Sequence, residues 1–186
     1  ERGRAVILAV NKWDTIEKQT DIFIDKIILI GARSANLIQN PSFENGLDHW
    51  ISVDTTAAII GQAYEGSAVA RIDVTGGLIY QDVELPSAAG QCFLLNFGYR
   101  SSSIGVDLSG NTLAEVLWLD SAGREIGLGL SLVVPSTSLR AQWLVYTGIT
   151  EPATPGAAAA RVKFTRSQGS PEVFVEIDKV VLGRLI

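Results

Sequence analysis

The chain has 186 residues, of which 47% are hydrophobic and 19% charged, enough for one domain with a packed core and the opposite of a disordered composition. A formal net charge of −5 without a Lys/Arg cluster argues against nucleic acid as a partner, since phosphate binding needs a basic footprint. One histidine, His49, and one cysteine, Cys92, exclude an intrachain disulfide and leave little material for catalytic triads or transition-metal sites.

Residues 1–33 hold two apolar runs, Ala5–Val10 and Ile22–Ile30, around the polar link Asn11–Asp21. Short β-branched runs about a polar turn predict a hairpin. Residues 36–50, NLIQNPSFENGLDHW, predict a first strand, a turn and an aromatic anchor, Trp50. Beyond it, turn signals recur at sandwich-like spacing, among them Asn45-Gly46, Glu65-Gly66, Gly76-Gly77, Ala122-Gly123 and Gly169–Pro171. The segments between them predict strands over 56–62, 68–74, 78–84, 91–100, 112–120, 131–134, 142–149, 159–166 and 173–182. In Ala70–Val74 and Arg161–Arg166, apolar and charged residues alternate, as in half-buried strands. No long amphipathic helix pattern is present. Many short strands without helices predict an all-β fold, a sandwich or barrel. No apolar run reaches the ~18 residues of a membrane span. The absence of methionine suggests a processed or excised chain, and no signal peptide is read.

The chain also matches itself. Ile24-Asp25-Lys26-Ile27-Ile28-Leu29 aligns with Ile177-Asp178-Lys179-Val180-Val181-Leu182, 153 residues apart. Residues 1–33 therefore read as the last hairpin of a preceding copy, and 34–186 as one complete domain. An orphan hairpin this apolar must pair in cis or complete a neighbouring chain. The assembly residues would be Ala5, Val6, Ile7, Leu8, Val10, Ile22, Phe23, Ile24, Ile27, Ile28 and Leu29. Head-to-tail addition that does not close on itself makes a filament.

Residues 36–50, together with GSAVARIDV, LIYQDVEL, EVLWLDSAGREIG, QWLVYTGITEPATPGAAAARVKF and IDKVVL, resemble carbohydrate-binding modules of the galactose-binding-like type. The resemblance covers about residues 36–183. It implies a jelly-roll sandwich of two antiparallel sheets. It also implies a structural calcium ion between the first and last strands, with Glu44 and Asp178 as carboxylate ligands and loop carbonyls near Gly66. Polysaccharide is the partner it implies.

Sugar rings stack on exposed aromatics. Trp50, Trp118 and Trp143 fall on the framework motifs and read as core, and Tyr80 and Tyr99 lie in apolar strands. Trp13 and Tyr64, in turns, are the freer candidates. Asn11-Lys12-Trp13-Asp14 resembles the guanine-specifying loop of GTPases, but no phosphate-cradling GxxxxGK[ST] accompanies it. Asp73 with Asp82 can be named as a hydrolytic pair, yet nothing in the sequence sets their distance. The expectation is a non-catalytic extracellular or cell-surface protein that assembles head-to-tail through its hairpin. The alternative is a carbohydrate-binding module from a tandem array.

Overall fold

The computed structural model describes residues 35–59, 61–102, 110–135, 142–167 and 169–185. The assembly residues from Ala5 to Leu29, and Trp13, lie outside these residues. Ten strands run in chain order: Ile51–Val53 (β1), Thr55–Ile59 (β2), Ala68–Ile72 (β3), Leu78–Glu84 (β4), Phe93–Ser101 (β5), Thr112–Leu119 (β6), Glu125–Val134 (β7), Leu144–Ile149 (β8), Ala159–Arg166 (β9) and Val175–Arg184 (β10). They form two antiparallel five-stranded sheets. Sheet A has the order β1-β4-β9-β6-β7, and sheet B the order β2-β3-β10-β5-β8. This is the jelly-roll sandwich, with no helix among the described residues.

Period-two patterning builds both layers. In β9, Ala160, Val162 and Phe164 are buried, while Arg161, Lys163 and Thr165 point the other way. In β4, Ile79, Gln81 and Val83 face inward, and Leu78, Tyr80, Asp82 and Glu84 outward. Aromatic rings lock the sheets together. Phe97 of β5 meets Phe164 of β9 edge-on, with centroids 4.9 Å apart, and Phe93 meets Trp118 of β6 at 5.7 Å. Such tilted contacts suit the ring quadrupoles and add to the burial of large apolar surfaces.

Residues 36–50 do not open with a strand. They form successive turns, because Asn40, Phe43 and His49 take left-handed φ of 48°, 57° and 68°. The segment instead plugs into the sandwich. Ile38, Phe43 and Trp50 are buried in the core. Gln81 takes the amide of Gln39 on its side-chain oxygen (2.8 Å) and donates back to the Gln39 carbonyl (2.9 Å). Asn36 accepts from Leu182 N–H and donates to the Val180 carbonyl, which ties the lead-in to β10. A buried polar group needs such partners, and here they fix the segment in place.

A bulge in β7 opposite Val116 and Leu117 seats Trp118 against glycine. A Cβ on Gly129 would lie 2.6 Å from Trp118 Cζ2 and 2.7 Å from Cε2. Trp118 is fully buried and cannot move aside. Gly129→Ala is therefore expected to destabilise the fold by about 1–3 kcal/mol through overpacking. Urea unfolding followed by tryptophan fluorescence measures this, and an unchanged midpoint would contradict it.

Candidate functional site

The two sheets differ in what covers their outer faces. On sheet B, Gly98, Arg100, Glu176 and Asp178 point away from the core, but the loop of residues 61–67 lies across them. Tyr64 sits on Gly98, where a Cβ would be 3.2 Å from its ring carbons. The Gln62 carbonyl accepts from Arg100 Nη1 (3.1 Å) and from the Trp143 indole N–H (2.8 Å). Beneath the loop runs a charged row. Glu176, 1% exposed, accepts Arg71 Nη2 and Arg100 Nε, each at 2.7 Å. Arg71 lies over the Phe174 ring and Arg100 over the Trp143 ring.

The loop is held by carboxylates. Asp178 accepts the Glu65 N–H at 2.9 Å and the Lys179 N–H at 2.7 Å. Glu44 accepts Ser67 and Ala68 N–H, each at 2.8 Å, and the Ser67 hydroxyl. Glu65 takes the Ser42 hydroxyl and pairs with the Lys179 ammonium at 3.0 Å. These hydrogen bonds from Ser67 and Ala68 hold Glu44 below the usual carboxylate range. Asp178 is wholly buried, and desolvation pushes it up to about 6 despite its N–H donors.

Glu44 and Asp178, the carboxylates that the resemblance implies for calcium, both bind backbone amides of one loop. Carboxylate oxygens are the right donor type for a hard cation, and the buried Asp178 lacks a full counter-charge because Lys179 goes to Glu65. As arranged, their oxygens face N–H donors. Among the described residues, no three His, Cys, Asp or Glu side chains group closely enough to hold a metal.

The outer face of sheet A is different. Cross-strand register brings together Ile51, Tyr80, Lys163, Glu115 and Ser131 in one row, and Asp82, Arg161, Leu117 and Leu128 in the next. A third row, Val53, Leu78, Thr165, Leu113 and Val133, is mostly apolar. At the two edge strands Ile51, Val53, Leu128 and Val133 are each more than half exposed. Among the described residues, the side-chain hydrogen bonds of this face run only between its own members. Arg161 grips Asp82 in a two-pronged pair (2.7 and 2.8 Å), with Glu125 at 3.5 Å. Its guanidinium lies 4.3 Å from the centroid of the half-buried Tyr80 ring. Lys163 pairs with Glu115 at 3.4 Å. The result is an aromatic ring on β4, next to the edge strand, flanked by oriented donors and acceptors, on a face that no described residue outside the sheet covers.

Tyr64, expected to be free, is 41% exposed but lies down on Gly98. Trp118 and Trp50 are core, as their motifs implied. Trp143 is not core, being half-buried on the outer face of sheet B. Asp73 bonds Thr56 on the outside of sheet B, whereas Asp82 sits on sheet A, so these two acids are split between opposite faces. The apolar strand around Tyr80 hides which side the ring faces; its charged successors at 82 and 84 are the signal that it points outward.

A scan against family models and a search of curated proteins return no match. Solved structures do match. The enzymatically active domain of bacteriophage CBA120 tailspike protein 4 superposes with a TM-score of 0.58 at 18% identity over 81% of this chain, which spans only 21% of that longer chain. A family 16 carbohydrate binding module matches with a TM-score of 0.53 at 16% identity, over 79% of this chain and 99% of its own length. The CBM22-1 xylan-binding domain of Paenibacillus barcinonensis Xyn10C matches with a TM-score of 0.52 at 12% identity, over 77% and 91% of the two chains. The fold is that of carbohydrate-binding modules.

The buried acid sets a pH dependence. Asp178 titrates near 6 in the fold and near 3.8 when unfolded, so the fold binds its proton more tightly. Its contribution to stability is complete below about pH 4 and is lost as pH rises through 6, by about 3 kcal/mol at pH 7. In chelator, the stability difference between the native protein and Asp178→Asn should change by that order between pH 4 and 7. Parallel pH profiles would refute it.

Proposed function

We propose that the chain is a non-catalytic carbohydrate-binding module and that polysaccharide binds across the outer face of sheet A. The observation that carries this reading is the Tyr80 ring on β4, next to the edge of a sheet face that no described residue outside the sheet covers, with Arg161, held by Asp82, lying over one side of the ring. A pyranose offers an apolar C–H face to an aromatic ring and hydroxyls to the groups around it. Arg161, Lys163, Asp82, Glu115 and Glu125 are already oriented by their mutual pairs, so little side-chain freedom is lost on binding. The carbohydrate-binding modules sharing the fold support the ligand class. A polysaccharide ligand of this kind would go with a secreted or surface protein, the location proposed for this chain.

The test uses xylan first, because one structural neighbour is described as a xylan-binding domain, then cellulose-type and mannan oligosaccharides. In calorimetric titration, Tyr80→Ala is expected to weaken binding at least about tenfold, while unfolding shifts by less than about 1 kcal/mol. Undiminished binding by this variant would sink the assignment of the face.

Glu44 and Asp178 are also proposed to hold calcium, which would neutralise the buried acid and brace the 61–67 loop against β10. Calcium should raise the thermal midpoint of chelator-treated protein, and Asp178→Asn should abolish the rise. No rise in the native protein leaves the hydrogen-bonded clasp as the whole role of these residues.

A second reading, head-to-tail assembly, has its support in the sheet edges. Among the described residues β1 and β2 are terminal strands, and Ile51, Val53 and Ile59 are 55%, 52% and 87% exposed. Unpaired apolar edges of this kind accept a further strand. Removal of residues 1–33 is expected to abolish any polymer visible by electron microscopy while leaving a folded domain; polymers persisting after truncation exclude it.

A further inference from the structure

We propose a second carbohydrate-stacking site on the opposite side of the sandwich, formed by Tyr64 and Trp143. It shares the ligand class proposed for the Tyr80 face but none of its residues. The two rings lie 5.9 Å apart and are tilted by 52°, so they form an open corner rather than a sealed stack. Both are held in place from behind. The Trp143 N–H is anchored on the Gln62 carbonyl at 2.8 Å, and Arg100, itself bonded to that carbonyl, lies 4.7 Å from the indole centroid. Tyr64 rests on the bare backbone of Gly98, where a Cβ would lie a tight 3.2 Å from its ring carbons. Asp178 receives the amide of the next residue and so fixes the loop that carries the ring.

An aromatic ring is normally immobilised in order to be buried. Here two are immobilised, yet Tyr64 stays 41% exposed and the neighbouring Val145 of β8 49% exposed. The ordering cost of a binding surface has already been met, while the surface remains in water. An oxygen-rich ligand with one apolar face fits the surroundings. Lys179 lies over the Tyr64 ring, 5.7 Å from its centroid, and is bridged to Glu65 at 3.0 Å, so an ammonium and a carboxylate stand close to the ring. A purely apolar partner would leave both charges desolvated and unserved. A pyranose edge would reach them while its C–H face meets the rings. With Tyr80 on the other sheet, one module would engage two polysaccharide chains.

The Trp143 indole N–H reports on this site separately from the Tyr80 face. Its signal is assigned in a proton–nitrogen correlation spectrum with Trp143→Phe. Xylohexaose, cellohexaose and mannohexaose are then titrated into the full chain. With at least one of the three, the Trp143 signal is expected to shift saturably in the native protein and in Tyr80→Ala. Tyr64→Ala should reduce that affinity about tenfold, and Tyr64→Phe should retain it, which separates stacking from loop collapse. Binding that disappears in Tyr80→Ala, with the Trp143 signal unmoved in the native protein, overturns the second site and leaves the first standing. A Trp143 shift that survives while Tyr80→Ala binds as well as the native protein overturns the Tyr80 face and supports the second site. No binding to any of the three sugars overturns both.

Discussion

Asp178 sits where β10 breaks its register, at a residue pair followed by Lys179 in a left-handed conformation (φ 50°). The period-two alternation before the bulge, with Val175 and Ile177 in the core, points the carboxylate outward from the middle of sheet B, where a loop buries it. Burial alone would make this acid a liability. Its N–H partners, Glu65 and Lys179, recover part of the cost, and in doing so they draw the 61–67 loop down onto the sheet. Glu44 completes the clasp from the lead-in segment, through Ser67 and Ala68. One buried carboxylate therefore anchors the loop that covers part of sheet B, whereas among the described residues nothing comparable lies across sheet A.

The ion pairs on that open face have a different role. Exposed pairs contribute little to stability, on the order of 0–1 kcal/mol each. Asp82 and Arg161 matter because a two-pronged pair holds the guanidinium in one place over the Tyr80 ring. The energetics of the fold come instead from the interior, where Phe93, Phe97, Trp118 and Phe164 interlock across the two sheets. Stability and recognition are thus placed on opposite sides of the same strands, one residue apart. In β9, Phe164 holds the core and Lys163 faces the proposed ligand.

Much of this division is visible in the residues themselves. The alternation in 78–84 and 159–166 marks β4 and β9 with the observed bounds, because both strands have one wet face. In 131–134 the same rule finds only the end of β7, since Gly127, Gly129 and the bulge break the period where Trp118 is seated. The lead-in at 36–50 carries strand-like apolar residues, but Asn40, Phe43 and His49 in left-handed conformations make it a plug. Tyr64 lies in a turn, which suggests a free ring, but the turn is folded down onto the sheet.

What the sequence by itself determined was the layer architecture, the turns between strands and the separation of core rings such as Trp50 and Trp118 from the charged positions of β4 and β9. Period-two patterning and turn chemistry are local, and local information suffices for them. Which outer face stays open, and hence whether Tyr80, Tyr64 or Trp143 can meet a ligand, was decided only by the tertiary structure. That choice depends on Asp178 meeting the amide of Glu65, 113 residues away along the chain, and on Glu44 meeting Ser67 and Ala68. No local pattern encodes a contact between partners so far apart, because each is an ordinary acid or an ordinary backbone amide until the sheets bring them together.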